Sequence, residues 1–177
     1  MKKVLLLLLV ASIASSAFTP RKSTVARSAV SFHIKNLGIN TTGTIGGLQA
    51  NVRFNPANLA GSTIDASVDV NTINTDNTNR DEHLKSEDFF DASRYPRMAL
   101  KSVSFKHKSG SKYTGQFNLT IKGKSKLVEL PFNYTEKDNS VELTSSFKLN
   151  RLDFGIGESS MVLSNDVVVN IEAELTK

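Results

Sequence analysis

Residues 113–134 read YTGQFNLTIKGKSKLVELPFNY. Tyr113, Phe117, Leu119 and Ile121 share one parity, with Gly115 between them. Val128, Leu130, Phe132 and Tyr134 share another, and IKGKSK joins the two runs. Alternation of apolar and polar residues is the mark of a strand with one wetted face, and a short Gly-containing link between two such runs marks a hairpin. Pro131 lacks an N–H, so the second strand is expected to carry a bulge or a free edge there.

The same period of two runs outward along the chain. Val30, Phe32 and Ile34 alternate with polar residues, as do Ala50, Val52 and Phe54, and then Ile64, Ala66, Val68 and Val70. Met98 and Leu100 open a run that shifts phase to reach Val103 and Phe105. Val141, Leu143, Phe147 and Leu149 follow, and then Val167, Val169, Ile171, Ala173 and Leu175. That makes eight strands separated by turn signals such as KSGSK and EKDNS, expected to be antiparallel and to pair as hairpins. Eight strands with a single apolar face must close into a barrel or fold into a sandwich.

The first residues, MKKVLLLLLVASIASSA, are expected to be a cleaved signal peptide, residues 1–17: Lys2 and Lys3, an apolar run, then small residues. The run is too short to span a bilayer. A single domain, residues 18–177, remains, expected in the periplasm or secreted; no cysteine near the cleavage site offers a lipid anchor. Cleavage removes two lysines and no acid, so the formal charge falls from +5 to +3, with no Lys/Arg block of the kind that binds nucleic acid. The chain has no cysteine, which excludes disulfides, thiol catalysis and cysteine-bound metal.

Residues 74–96, NTDNTNRDEHLKSEDFFDASRYP, break the period. Asn79 with Glu82 has the form of a helix cap, Ser86 could cap a second turn, and Pro96 forces extended backbone before the next strand. A short helical insert over about 79–92 is expected, with Leu84, Phe89 and Phe90 turned to the interior.

These pieces occur together in a known order. RDEHLKSEDFFD, RYP, LTIKG and NRLDFG succeed one another so that the chain, from about Thr24 to Leu175, resembles the YceI-like family. The resemblance implies an eight-stranded antiparallel lipocalin-like β-barrel, often a homodimer, that holds a polyisoprenoid, an isoprenoid quinone or another amphiphilic lipid. Asn36, in IKNLGI, stands where many members place a histidine, so the head-group preference implied by the family does not transfer.

On apolar parity, the candidate lining is Phe32, Ile34, Val52, Phe54, Val68 and Val70, continued by Leu100, Phe117, Leu119 and Phe147. Leu84, Phe89 and Phe90 would close one end. Parity does not separate a cavity wall from ordinary packed core. An apolar chain needs no polar motif, because its burial contributes about 0.8 kcal/mol per CH₂. Arg80, Asp81 and His83 could serve as a pocket-mouth cluster or brace the insert through Arg151 and Asp153. His83 beside Asp81 also has the form of a general base, although no nucleophile elbow accompanies it. His33, His83 and His107 are too scattered for a metal site, and no cofactor beyond a bound lipid is expected. Three readings follow: a non-catalytic lipid carrier, a hydrolase or lyase acting on an amphiphile at the pocket mouth, and a filled structural barrel.

Overall fold

The computed structural model describes residues 24–176; the expected signal peptide lies outside the described residues. Nine antiparallel strands form one sheet. They are β1 (Thr24–Asn36), β2 (Ile39–Thr44), β3 (Gln49–Arg53), β4 (Thr63–Asp69), β5 (Arg97–Ser109), β6 (Lys112–Ile121), β7 (Lys124–Glu136), β8 (Ser140–Asn150) and β9 (Leu163–Thr176). Their spatial order is β2-β1-β9-β8-β7-β6-β5-β4-β3. The sheet curls into a half-barrel, and the chain that follows β4 closes against β2. There, Thr44 and Asn74 exchange both backbone hydrogen bonds, at 2.8 and 3.0 Å, and the Asp69 N–H donates to the Gly46 carbonyl at 3.1 Å. Arg97 ties the crossing chain down by donating to the carbonyls of Gly47 and Ser67, each at 2.9 Å.

The all-β, antiparallel class is as expected, but the strand number is nine rather than eight. The extra strand is β2, INTTGT, which has one apolar residue and hence no alternation to detect. It is held by its ladder to β1, from Ser31↔Thr44 to Asn36↔Ile39.

The opening stretch forms the β6–β7 hairpin, with an unbroken register from Lys112↔Asn133 to Ile121↔Lys124. Both turn residues, Lys122 and Gly123, have positive φ (47° and 71°), the conformation whose twist matches a two-residue hairpin. Pro131 takes its place opposite Thr114 without a register shift. Its other side lies beyond the β7–β8 ladder, which runs only from Asn133↔Thr144 to Glu136↔Val141, and there the Ser145 hydroxyl donates to the Pro131 carbonyl at 2.6 Å. The 3-10 turn Arg151–Phe154 follows β8, with Phe154 fully buried.

The interior has two packed regions. At one end Phe54 sits at the hub of an aromatic cluster, with ring centroids 4.7–5.5 Å from Phe105, Tyr113, Phe132 and Tyr134. Val52, Ile64, Phe117, Leu130, Val141 and Leu175 complete it. At the other end Val70, Ile73, Ala92, Met98, Leu119, Ile121, Phe154 and Ile156 pack together, and Leu84, Phe89 and Phe90 of the insert lie against them.

The insert contains one helix, α1 (Thr78–Lys85), and a run of turns. Its cap is Asn77, whose side chain accepts from the Arg80 N–H at 3.0 Å, rather than Asn79. Glu82 pairs with Lys85 at 3.0 Å instead of reaching back to a cap. The helix stops at Ser86, whose hydroxyl donates to the His83 carbonyl at 2.7 Å. Backbone bonds from Phe90 to Leu84 and from Ala92 to Lys85 then fold the turns back beneath the helix.

Candidate ligand-binding cavity

Between the barrel wall and the insert lies a cavity of about 330 Å³, within the range of small-molecule sites. Inward parity on successive strands builds its wall. Val30, Phe32 and Ile34 come from β1, Ala66 and Val68 from β4, Leu100 from β5, Leu119 and Ile121 from β6, Phe147 and Leu149 from β8, and Val167, Val169 and Ile171 from β9. Leu84, Phe89 and Phe90 supply the face contributed by the insert. Gly43 is part of the construction. It pairs with Phe32 across the β1–β2 ladder, and a Cβ there would come within 2.5 Å of the ring's Cζ. The absent side chain is what lets the Phe32 ring lie back against the sheet.

Polar side chains line the cavity in small number: Ser31, Asn36, Thr41, Ser67, Thr75, Arg80, His83 and Arg151. No carboxylate is among these described residues. Thr75 is the organising group. Its N–H and hydroxyl donate to Asp81 Oδ1 at 2.8 and 2.5 Å, while its hydroxyl and carbonyl accept from Arg80 at 2.8 and 2.7 Å. His83 is exposed, edge-on to Phe89 at 4.8 Å between ring centroids.

Arg151 is a buried cation. Its guanidinium donates to the carbonyls of Ser164, Ile156 and Glu158 at 2.7–2.9 Å and to Asn165 Oδ1 at 3.3 Å. Burial away from water pulls it below the ordinary arginine range. It thereby fixes the 156–158 loop, whose Gly157 N–H donates to the Asp88 carbonyl of the insert at 3.0 Å.

Nine of the thirteen expected lining residues reach the cavity: Phe32, Ile34, Val68, Leu84, Phe89, Phe90, Leu100, Leu119 and Phe147. Four do not. Val52, Phe54 and Phe117 belong to the packed aromatic end, and Val70 to the second cluster, where it is 1% exposed. They share the inward parity but lie where the barrel is filled. Of the polar set, Arg80, His83 and Arg151 border the cavity. Asp81 is turned into Thr75, and Asp153 pairs with Lys126 at 2.9 Å on the outside. The expected brace from the insert through Arg151 and Asp153 therefore runs differently: Arg151 acts by way of the loop it holds. The β9 residues Val167, Val169 and Ile171 were absent from the expected lining, although their alternation in the sequence was the available signal.

Residues 22–175 match the model of the YceI-like domain. The chain belongs to the YceI-like family. A UPF0312 protein of Vibrio cholerae serotype O1 (strain M66-2) is 27% identical, the match covering 97% of this chain and 98% of the relative. Among solved structures, Burkholderia cenocepacia BcnA superposes with a TM-score of 0.80 at 24% identity, covering 84% of this chain and 96% of that one. A polyisoprenoid binding domain from Saccharophagus degradans, implicated in plant cell wall breakdown, gives 0.68 at 14% identity, covering 88% and 97%. At these identities the two structures establish the YceI-like fold.

Proposed function

We propose that the chain is an exported, non-catalytic lipid-binding protein that sequesters or carries a long apolar isoprenoid chain, a polyisoprenoid or an isoprenoid quinone, within the barrel. The observation that carries this reading is the cavity itself: aliphatic and aromatic side chains from six strands and the insert converge on one unfilled space. Each CH₂-sized group moved there from water contributes about 0.8 kcal/mol, so a few isoprene units suffice for binding without a polar contact. The polyisoprenoid binding domain of similar fold supports the choice of cargo class. Export rests on residues 1–17, and homodimer formation on the family resemblance.

The hydrolase or lyase alternative asks His83 and Asp81 to act as a pair. Asp81 Oδ1 instead accepts two hydrogen bonds from Thr75, and the His83 ring packs on Phe89. The filled-barrel alternative conflicts with the cavity.

The deciding experiment is native mass spectrometry of the protein as the cell accumulates it, repeated after organic extraction. A co-purifying prenyl or quinone mass, lost on extraction, is the expected outcome. The same spectra give the mature N-terminus and the oligomeric state. Apo protein that also fails to bind added polyprenols and quinones overturns the carrier reading.

A further inference from the structure

The β1–β2 turn is chemically odd. Leu37 and Gly38 occupy it with φ of 51° and 78°. Positive φ at both central positions favours Asn-Gly or Asp-Gly, and a leucine at the first position is strained. Leu37 gains no burial in exchange, being 72% exposed. Its neighbours are apolar too. Ile39 is 71% exposed, and the Leu37 N–H donates to the Val162 carbonyl at 2.8 Å, which brings exposed Val162 and Met161 alongside.

This cluster is continuous with the cavity. Ile39 stands opposite Asn36, Thr41 opposite Ile34 and Gly43 opposite Phe32, so Ile39 shares the inward parity of a wall leading down past Thr41 and Asn36 to Phe32. Leu163, next to Val162, lines the cavity as well.

We infer that Leu37, Ile39, Met161 and Val162 form a tip that inserts into the surface of a lipid bilayer and places the cavity mouth against it. The inference rests on the proposed apolar cargo, which resides in a bilayer and reaches the cavity along this wall without crossing water. Four such side chains amount to an apolar patch on the order of 500 Å², short of the roughly 800 Å² per partner of a stable dimer. Shallow insertion of a few apolar side chains with cationic neighbours suits an anionic membrane surface. Lys35 is exposed beside the tip, Arg80 is exposed at the cavity, and the described lining residues include no carboxylate.

The test uses vesicles of phosphatidylethanolamine and phosphatidylglycerol, with the wild type and a Leu37→Asn, Met161→Ser variant. Asparagine suits positive φ, so the variant is expected to melt no lower than the wild type. The wild type is expected to co-float with the vesicles, and the variant to partition about tenfold or more weakly. Both should bind polyprenol equally in detergent solution. Equal flotation of the two proteins overturns the inference, as does a wild type that stays in the aqueous phase. A wild-type dimer that the variant splits into monomers overturns it in favour of self-association. If neither protein binds polyprenol while flotation still separates them, the carrier reading fails and the tip stands.

Discussion

Single residues divide into those that fill the barrel and those that bound its empty part, and substitution should separate them. Phe54 touches four aromatic rings at the packed end. Phe54→Ala should cost about 3–5 kcal/mol in denaturant unfolding, the usual range for a buried aromatic. Phe147 is half-buried and faces the cavity. Phe147→Ala should cost only about 1–2 kcal/mol, because the space it vacates joins an existing void. The same substitution should admit bulkier prenyl ligands, as read by competitive displacement. Gly43→Val works in the opposite direction: its side chain collides with the Phe32 ring and with the methyl of buried Thr75, so polyprenol affinity and melting temperature should fall together. Alternation assigns both groups the same inward direction. It said nothing of depth along the barrel axis, which depends on how distant strands stagger. For that reason Val52, Phe54, Phe117 and Val70 could not be told from Phe32 or Ile34 before the strands were in place.

At the scale of elements, the insert is held by few bonds, and the clasp at Thr75 is central. Asp81→Ala removes the acceptor of two of them and strands the buried Thr75 N–H, a loss of about 1–3 kcal/mol. The loss is local, so amide hydrogen exchange over residues 75–92 should accelerate while that of β6 and β7 is unchanged. Strong alternation made the β6–β7 hairpin and the existence of the insert legible in the sequence, and the missing N–H of Pro131 marked where the β7–β8 ladder stops short. β2 was not, because INTTGT is held by pairing with β1 and has no apolar face of its own. The helix cap was misplaced by two residues: Asn77 and Asn79 have equal intrinsic claims, and what selects Asn77 is the tertiary clasp of Arg80 and Asp81 on Thr75.

For the whole molecule, stability should depend on alkaline pH through the packed end. The Tyr134 hydroxyl lies 3.3 Å from the Phe54 carbonyl and 3.2 Å from Glu136 Oε1. Burial, reinforced by the Glu136 carboxylate, pushes its pKa well above the ordinary tyrosine value of 10.0. A raised folded-state pKa favours the protonated form in the native protein, so this contribution is complete below pH 10 and is lost as the pH climbs toward the folded value. Urea midpoints should therefore decline above about pH 10, and Tyr134→Phe should flatten that decline. Ligand acts on the same quantity by mass action: added polyprenol should raise the melting temperature in proportion to the logarithm of its free concentration.

The aromatic end and the hollow end share strands while keeping largely separate sets of side chains. Selection can therefore act on the two independently. Changes at Phe32, Ile34 or Val169 alter what the barrel accommodates while the Phe54 cluster continues to secure folding. A lineage built on this plan can diversify its cargo by small, individually tolerable steps, whereas the aromatic end admits few changes.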